Sequence, residues 1–287
     1  MNESEKKINR NQLPALYLAA SKASQFAQRW YLRLIIINLS LLTLSTLVSS
    51  INYPLEPIKS FLTILAATLL IGSIISTIII QFIRLEKDWY AGRAIAESVK
   101  TLAWRYITGA APYHINLSKK IADKIFTDDL SKVLKERKFL SGALGGRLST
   151  QPQISEKMRW VRTLDTVKRK EIYVLNRIKG QQEWYGINSE NNRKKEQRSF
   201  IAIIVSEFLA LVGLVFLVRY TSFIFNPVGL FAALATSILT WLQVKQYQEL
   251  SQSYGLAAQE LGIIFEESKA VKNNQQLSIF VSNSENA

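Results

Sequence analysis

The sequence predicts an all-α membrane protein built from two transmembrane helical hairpins, with long cytosolic helical extensions and an oligomeric assembly. Three observations predict it. Residues 34–51, 61–83 and 223–244 carry no charged side chain, and residues 200–218 carry one, Glu207. A hydrocarbon core of about 30 Å takes about 20 apolar residues as helix, so all four segments are candidates to cross it. Of the 36 Lys and Arg, only Lys59 and Arg219 fall in the hairpin connections 52–60 and 219–222. Basic side chains stay on the cytoplasmic side, so both termini and the 84–199 segment are expected there. The polar segments keep apolar residues at three- and four-residue steps, and no run alternates as a strand does.

Each element follows in order. A basic head of 33 residues precedes the first span. It is too long and too polar inside for a secretory signal, and no small-residue cleavage site follows the span. The head is therefore expected to stay. After the second span, Trp89, Ala96, Val99, Ala103 and Tyr106 continue an apolar stripe up to Gly109 and Pro112. One helix over 61–108, roughly 70 Å at 1.5 Å per residue, is the expectation. Residues 118–137 read as an amphipathic helix with Ile121, Ile125, Val133 and Leu134 on its apolar side. The Gly-, Ser- and Thr-rich stretch 141–152 reads as a linker and divides the chain into domains 1–150 and 151–287. Helices over 154–165 and 167–198 follow, the second running into the third span. The fourth span continues through Tyr247, Tyr254, Leu261 and Phe265 toward Glu267. A weak repeat accompanies this division: Trp30-Tyr31 and Trp184-Tyr185 each precede a hairpin.

Composition excludes several chemistries. With no cysteine there is no disulfide framework, thiolate zinc site or iron–sulfur cluster. The single histidine, His114, leaves no multi-histidine metal site. Gly142-Ala-Leu-Gly-Gly lacks the Lys-Ser/Thr pair of a phosphate loop. No catalytic residue, metal or cofactor is expected, and the chain does not read as an enzyme.

Binding and conduction are better supported. Glu207 lies within a span, where a carboxylate costs a few kcal/mol unless it faces a bundle interior or water. It is the first candidate for lining or gating a pore, with Ser206 beside it. Asn38 and Ser45 in the first span, and Thr236 and Thr240 in the fourth, recur at helical steps and form the remaining pore-lining candidates. The 84–199 segment holds 25 basic and 13 acidic side chains, a large share of the net charge of +14. Anionic lipid is one attractant for such a surface. A cytosolic polyanion is another, with Arg193, Lys194, Lys195, Arg198 and the run Lys168, Arg169, Lys170 as contacts.

A resemblance sharpens these readings. Leu13-Pro-Ala-Leu-Tyr17, the stretch from Trp89-Tyr-Ala-Gly-Arg to Trp104-Arg-Tyr106, and Gly109-Ala-Ala-Pro-Tyr113 resemble one class of SLATT domains. These are the two-transmembrane effector domains associated with SMODS and SLOG proteins. Met158-Arg159, Glu183-Trp184-Tyr185 and Asn191-Asn-Arg-Lys-Lys195 resemble a second class of the same group, so the chain resembles a tandem of the two. The resemblance implies a pore-forming effector of bacterial antiphage defence, resident in the inner membrane as a homo-oligomer. It further implies gating by a cyclic nucleotide or oligonucleotide signal and a co-encoded nucleotidyltransferase as partner. The rival expectation is a non-conducting membrane-anchored scaffold whose cytosolic helices recruit a partner.

Overall fold

The computed structural model describes residues 2–136, 151–220 and 223–286. Most of the expected linker, and the domain limit at 150, lie outside the described residues. The principal helices are α1 (Ala15–Ser49), α2 (Glu56–Ile83), α3 (Leu85–Thr108), α4 (Lys119–Glu136), α5 (Glu156–Thr163) and α6 (Thr166–Tyr173). A π-helical turn, Val174–Lys179, leads into α7 (Gly180–Arg219), α8 (Pro227–Lys245), α9 (Tyr247–Ser268) and α10 (Asn274–Ser284). Among the described residues there is no strand, only an isolated antiparallel bridge between Ile51 and Phe225. The four expected spans fall in α1, α2, α7 and α8, each on a helix long and apolar enough to cross a membrane.

The chain forms two compact units. The polar unit comprises Met1–Gln28, Glu86–Ile187 and Gly255–Ala287. Its centre is α3, whose Ile95, Val99, Ala103, Tyr106 and Ile107 are at most 1% exposed. Their three- and four-residue steps put them on one helix face. Full burial of each large apolar side chain contributes about 1.5–3 kcal/mol. Tyr17 and Ala20 of α1, Phe126 of α4, Met158 and Val161 of α5, Ile172 of α6 and Leu277 of α10 complete that core. Local signals begin the shorter helices. Ser155 accepts from the amide of Met158 at 3.2 Å, Asp165 from Lys168 at 2.9 Å and Asn273 from Gln276 at 2.9 Å. Each satisfies an amide that the first helical turn leaves unpaired.

The apolar unit comprises Arg29–Leu85 and Asn188–Tyr254. Polar side chains join its helices where apolar contact alone would leave them free to slide. Asn38 donates to Thr77 at 2.7 Å and accepts from Ser73 at 2.9 Å, and Ser45 donates to the Ala66 carbonyl at 2.9 Å. Thr43 and Ser237 meet at 3.1 Å. The connections also pair: Asn52 donates to the Ile224 carbonyl at 2.6 Å, and Asn226 to that of Ser50 at 2.7 Å. Gly213 packs against Pro227, leaving no room for a Cβ, which would sit 2.7 Å from the proline ring.

Three expectations need correcting. The helix predicted over 61–108 is interrupted at Arg84, whose φ of 52° lies in the left-handed region, and Gln246 breaks the fourth in the same way at φ 48°. Both residues follow the apolar run of their span, so the two halves share this device. The helix predicted over 167–198 contains the π turn, in which the Gly180 amide reaches back to the Leu175 carbonyl. The extra residue lets Asn176 clasp the head, donating to the Lys6 carbonyl at 2.7 Å and accepting from Ile8 at 2.9 Å. On α4, Ile125 and Val133 pack against the core as expected, beside the buried Ala122, Phe126 and Leu130, whereas Ile121 and Leu134 are 50% and 40% exposed. Aromatic packing of Phe126 against Tyr106 and Tyr113, at centroid distances of 4.8 and 5.6 Å, sets that rotation.

Candidate functional site

The polar side chains of the spans divide into two groups. Asn38 and Ser45 are consumed in the α1–α2 contact described above. Ser206 is buried and donates to the Ala202 carbonyl at 2.8 Å, while Thr236 and Thr240 donate to carbonyls one turn back, both at 2.9 Å. Glu207 differs from all of these. It is exposed and has no hydrogen bond or ion pair among the described residues. It lies seven residues beyond Phe200, roughly 10 Å of helix into the apolar run. Its helical neighbours Ile204, Phe208 and Leu211 are 49%, 60% and 57% exposed. This is an apolar face with one carboxylate in its middle.

The basic candidates separate as sharply. Arg193 and Lys194 are exposed on α7 and share Glu190, at 2.9 and 3.5 Å. Lys195 lies 5.8 Å from the centroid of the Tyr247 ring. Arg198 lines an apolar cavity of about 650 Å³ within the apolar unit. Of the second cluster, Lys168 alone is exposed, paired with Asp165 at 3.0 Å. Arg169 is 2% exposed. It donates to the Thr108 carbonyl, to the side-chain oxygen of Asn274 and, at 3.1 Å, to the Leu164 carbonyl. Lys170 donates to the carbonyls of Val271 at 2.9 Å and Ser268 at 3.3 Å, where α9 ends. These two cations serve helix C-termini, where carbonyls lack partners and the helix dipole favours positive charge.

Most of the residues that carried the resemblance lie in the polar unit, whereas Asn191–Lys195 belong to the apolar one. α3 stops at Thr108, and Gly109 turns the chain at φ 72°. A Cβ at Gly109 would lie 2.9 Å from the Arg169 guanidinium. The Tyr106 hydroxyl donates to Asp123 at 2.5 Å, and Tyr113 donates to Asp129 at 2.8 Å. Arg159 pairs with Asp123, and Arg162 donates to the carbonyls of Tyr106 and, at 3.0 Å, Tyr113 while its charge sits over the Tyr106 ring. Burial pushes both phenols above their ordinary range, and the carboxylates they face push them further. Nearby, the fully buried Glu285 carboxylate takes two bonds from Arg177 at 2.8 Å and one each from Tyr173 and Thr101 at 2.9 Å.

Sequence reasoning missed Arg162 and the Arg177–Glu285 pair. The available signal was that these cations lie on helices with apolar residues at three- and four-residue steps. A cavity of about 620 Å³ in the same unit is lined by His114, Asn116, Asn274, Gln275 and Asn283 among others, with no Lys or Arg. It has hydrogen-bonding groups and no cation for a phosphate.

These features define an all-helical, multi-pass membrane protein with a polar helical unit built from both halves of the chain. The chain belongs to the SLATT family: the model of SMODS and SLOG-associating 2TM effector domain 3 matches residues 14–170, and that of domain 1 matches 173–287. The two matches meet inside α6. No curated protein and no solved structure matches the chain.

Proposed function

We propose that the protein is a pore-forming effector of bacterial antiphage defence that assembles as a homo-oligomer in the inner membrane, with both termini cytosolic. The observation that carries the reading is Glu207, an unpartnered carboxylate on an exposed mid-span face. A single copy presents it to hydrocarbon at a cost of a few kcal/mol. Copies arranged about an axis turn that face inward and give the carboxylate water. Glu207 then lines a cation path, and Thr236 and Thr240 are its polar companions. A cyclic nucleotide or oligonucleotide supplied by a co-encoded nucleotidyltransferase acts on Arg193, Lys194 and Lys195, which share one helix with Glu207. Opening depolarises the membrane and arrests the cell; the chain itself catalyses nothing.

The test exploits the absence of native cysteine. A single cysteine at Leu211 is expected to cross-link copies in membranes, and Glu207→Gln to change cation selectivity in liposomes without changing oligomer size. Protein that stays monomeric and leaves liposomes tight, with and without oligonucleotide, would favour the rival scaffold. That rival draws support from Asn38 and Ser45, whose polarity is spent on holding helices together.

A further inference from the structure

The cavity beside Arg198 has the construction of a lipid site. Its wall is formed by Ile36, Leu39 and Leu44 of α1, Ala202 of α7, and Leu234 and Trp241 of α8, among others. Its volume of about 650 Å³ falls within the range of about 300–1,000 Å³ usual for sites that take small molecules. Thr43 and Ser237, also in the wall, satisfy one another. Arg198 also lines it and has no hydrogen bond or ion pair among the described residues. The result is an apolar slot with an unpaired cation.

Position identifies the occupant. The lining residues belong to the start of the first span, the start of the third and the end of the fourth, which is one membrane boundary in a hairpin arrangement. Aromatic and basic groups crowd that boundary: Lys245 lies 5.7 Å from the Trp241 ring centroid, and Lys195 and Lys245 both lie 5.8 Å from Tyr247. Trp, Tyr and Lys of this kind mark the headgroup level of a bilayer. Arg198 is exposed just ahead of the third span, so its guanidinium stands at that level while the apolar wall of the slot runs deeper. A phosphate diester with hydrocarbon below it satisfies both parts.

We propose that this groove holds one anionic glycerophospholipid of the adjoining leaflet, its phosphate on Arg198 and an acyl chain along Leu39, Leu44 and Leu234. The site is independent of whether the chain conducts. Its occupant ties α1, α7 and α8 together at the boundary.

Native mass spectrometry of the full chain, released from vesicles containing equal phosphatidylglycerol and phosphatidylcholine, tests it. The wild-type chain should retain phosphatidylglycerol in preference. Arg198→Gln should reduce that preference about fivefold, equivalent to the ~1 kcal/mol that one basic side chain contributes at an anionic surface. Lys194→Gln, which removes the same charge one turn earlier on α7 from a residue that does not line the groove, should change it less than about twofold. Ala202→Phe should fill the slot and abolish retention of both lipids. Should that variant fail to fold, spin-labelled phosphatidylglycerol on the wild-type chain gives an independent reading: an immobilised component that Arg198→Gln removes. Equal losses from Arg198→Gln and Lys194→Gln would reduce the effect to surface charge and overturn the proposal. So would lipid retention unchanged in both groove variants, or cross-linking of the groove to a second copy in lipid-free protein.

Discussion

Replacing Glu285 by Ala removes a carboxylate whose side chain is 0% exposed and leaves its partners in place. Four hydrogen bonds disappear: two from Arg177 at 2.8 Å, one from Tyr173 and one from Thr101, both at 2.9 Å. The dominant cost is the guanidinium of Arg177, itself only 18% exposed, left without its counter-charge. Breaking one side of a buried pair costs about 3–5 kcal/mol. In a unit of this size each kcal/mol moves the midpoint by about 2–4 °C, so thermal unfolding in detergent should shift down by about 6–20 °C. Limited proteolysis should show α10 released first, because Glu285 anchors its end. Replacing both partners, Arg177→Met with Glu285→Leu, should recover most of the loss, since well-packed apolar groups often substitute for such a pair. A loss below about 1 kcal/mol for Glu285→Ala, or a double variant no better than the single, would refute a buried, desolvated pair.

Other perturbations test other links. Arg84→Gly removes a side chain from a left-handed backbone position and should stabilise the chain by about 1 kcal/mol in thermal unfolding. Gly213→Ala drives a methyl to 2.7 Å from Pro227 and should cost about 1–3 kcal/mol, read as weakened association of the third and fourth spans. Tyr106, Tyr113 and Tyr173 all have phenols held above the ordinary tyrosine value of about 10, chiefly by burial. The unfolded chain then releases these protons first, so stability is level below about pH 10 and falls above it, by up to ~1.4 kcal/mol per pH unit for each tyrosine. The tyrosinate absorbance of these three, read between pH 9 and 12 as the difference from a variant with all three replaced by Phe, should rise only together with loss of helix; their titration without unfolding would contradict their burial. A single cysteine at Asn52 should react with a membrane-impermeant reagent added outside intact cells, and one at Lys168 should not.

The spans were legible because charge-free runs of about 20 residues have one stable setting, hydrocarbon. The end of α3 was legible too, since Gly109 supplies the one backbone geometry that Thr108 lacks. Family membership was readable from Trp104-Arg-Tyr106 and Gly109-Ala-Ala-Pro-Tyr113, and the apolar stripe already put Tyr106 in the core; the partners were not legible, Phe126 for Tyr106 and Tyr113, and Tyr173 for Trp104. Charge runs were the least legible feature. Lys168, Arg169 and Lys170 are consecutive, yet helical geometry sends them in three directions, to Asp165, to the core and to the end of α9. A run of cations does not record which of them a neighbouring helix covers. Polar residues in the spans were ambiguous for a related reason, because Asn38 joins two helices and Glu207 joins none, while both are polar interruptions of an apolar run.

The pore proposed above consists of copies of this chain around a conducting path containing Glu207. Its most direct test is the reversal potential of the full chain in planar bilayers under a salt gradient, with the oligonucleotide signal absent and then present. Cation-selective current is expected in one of these two conditions, with selectivity reduced by Glu207→Gln and oligomer size unchanged. Wild-type and Glu207→Gln currents with identical reversal potentials, or no current in either condition from protein that is folded and oligomeric, would contradict it.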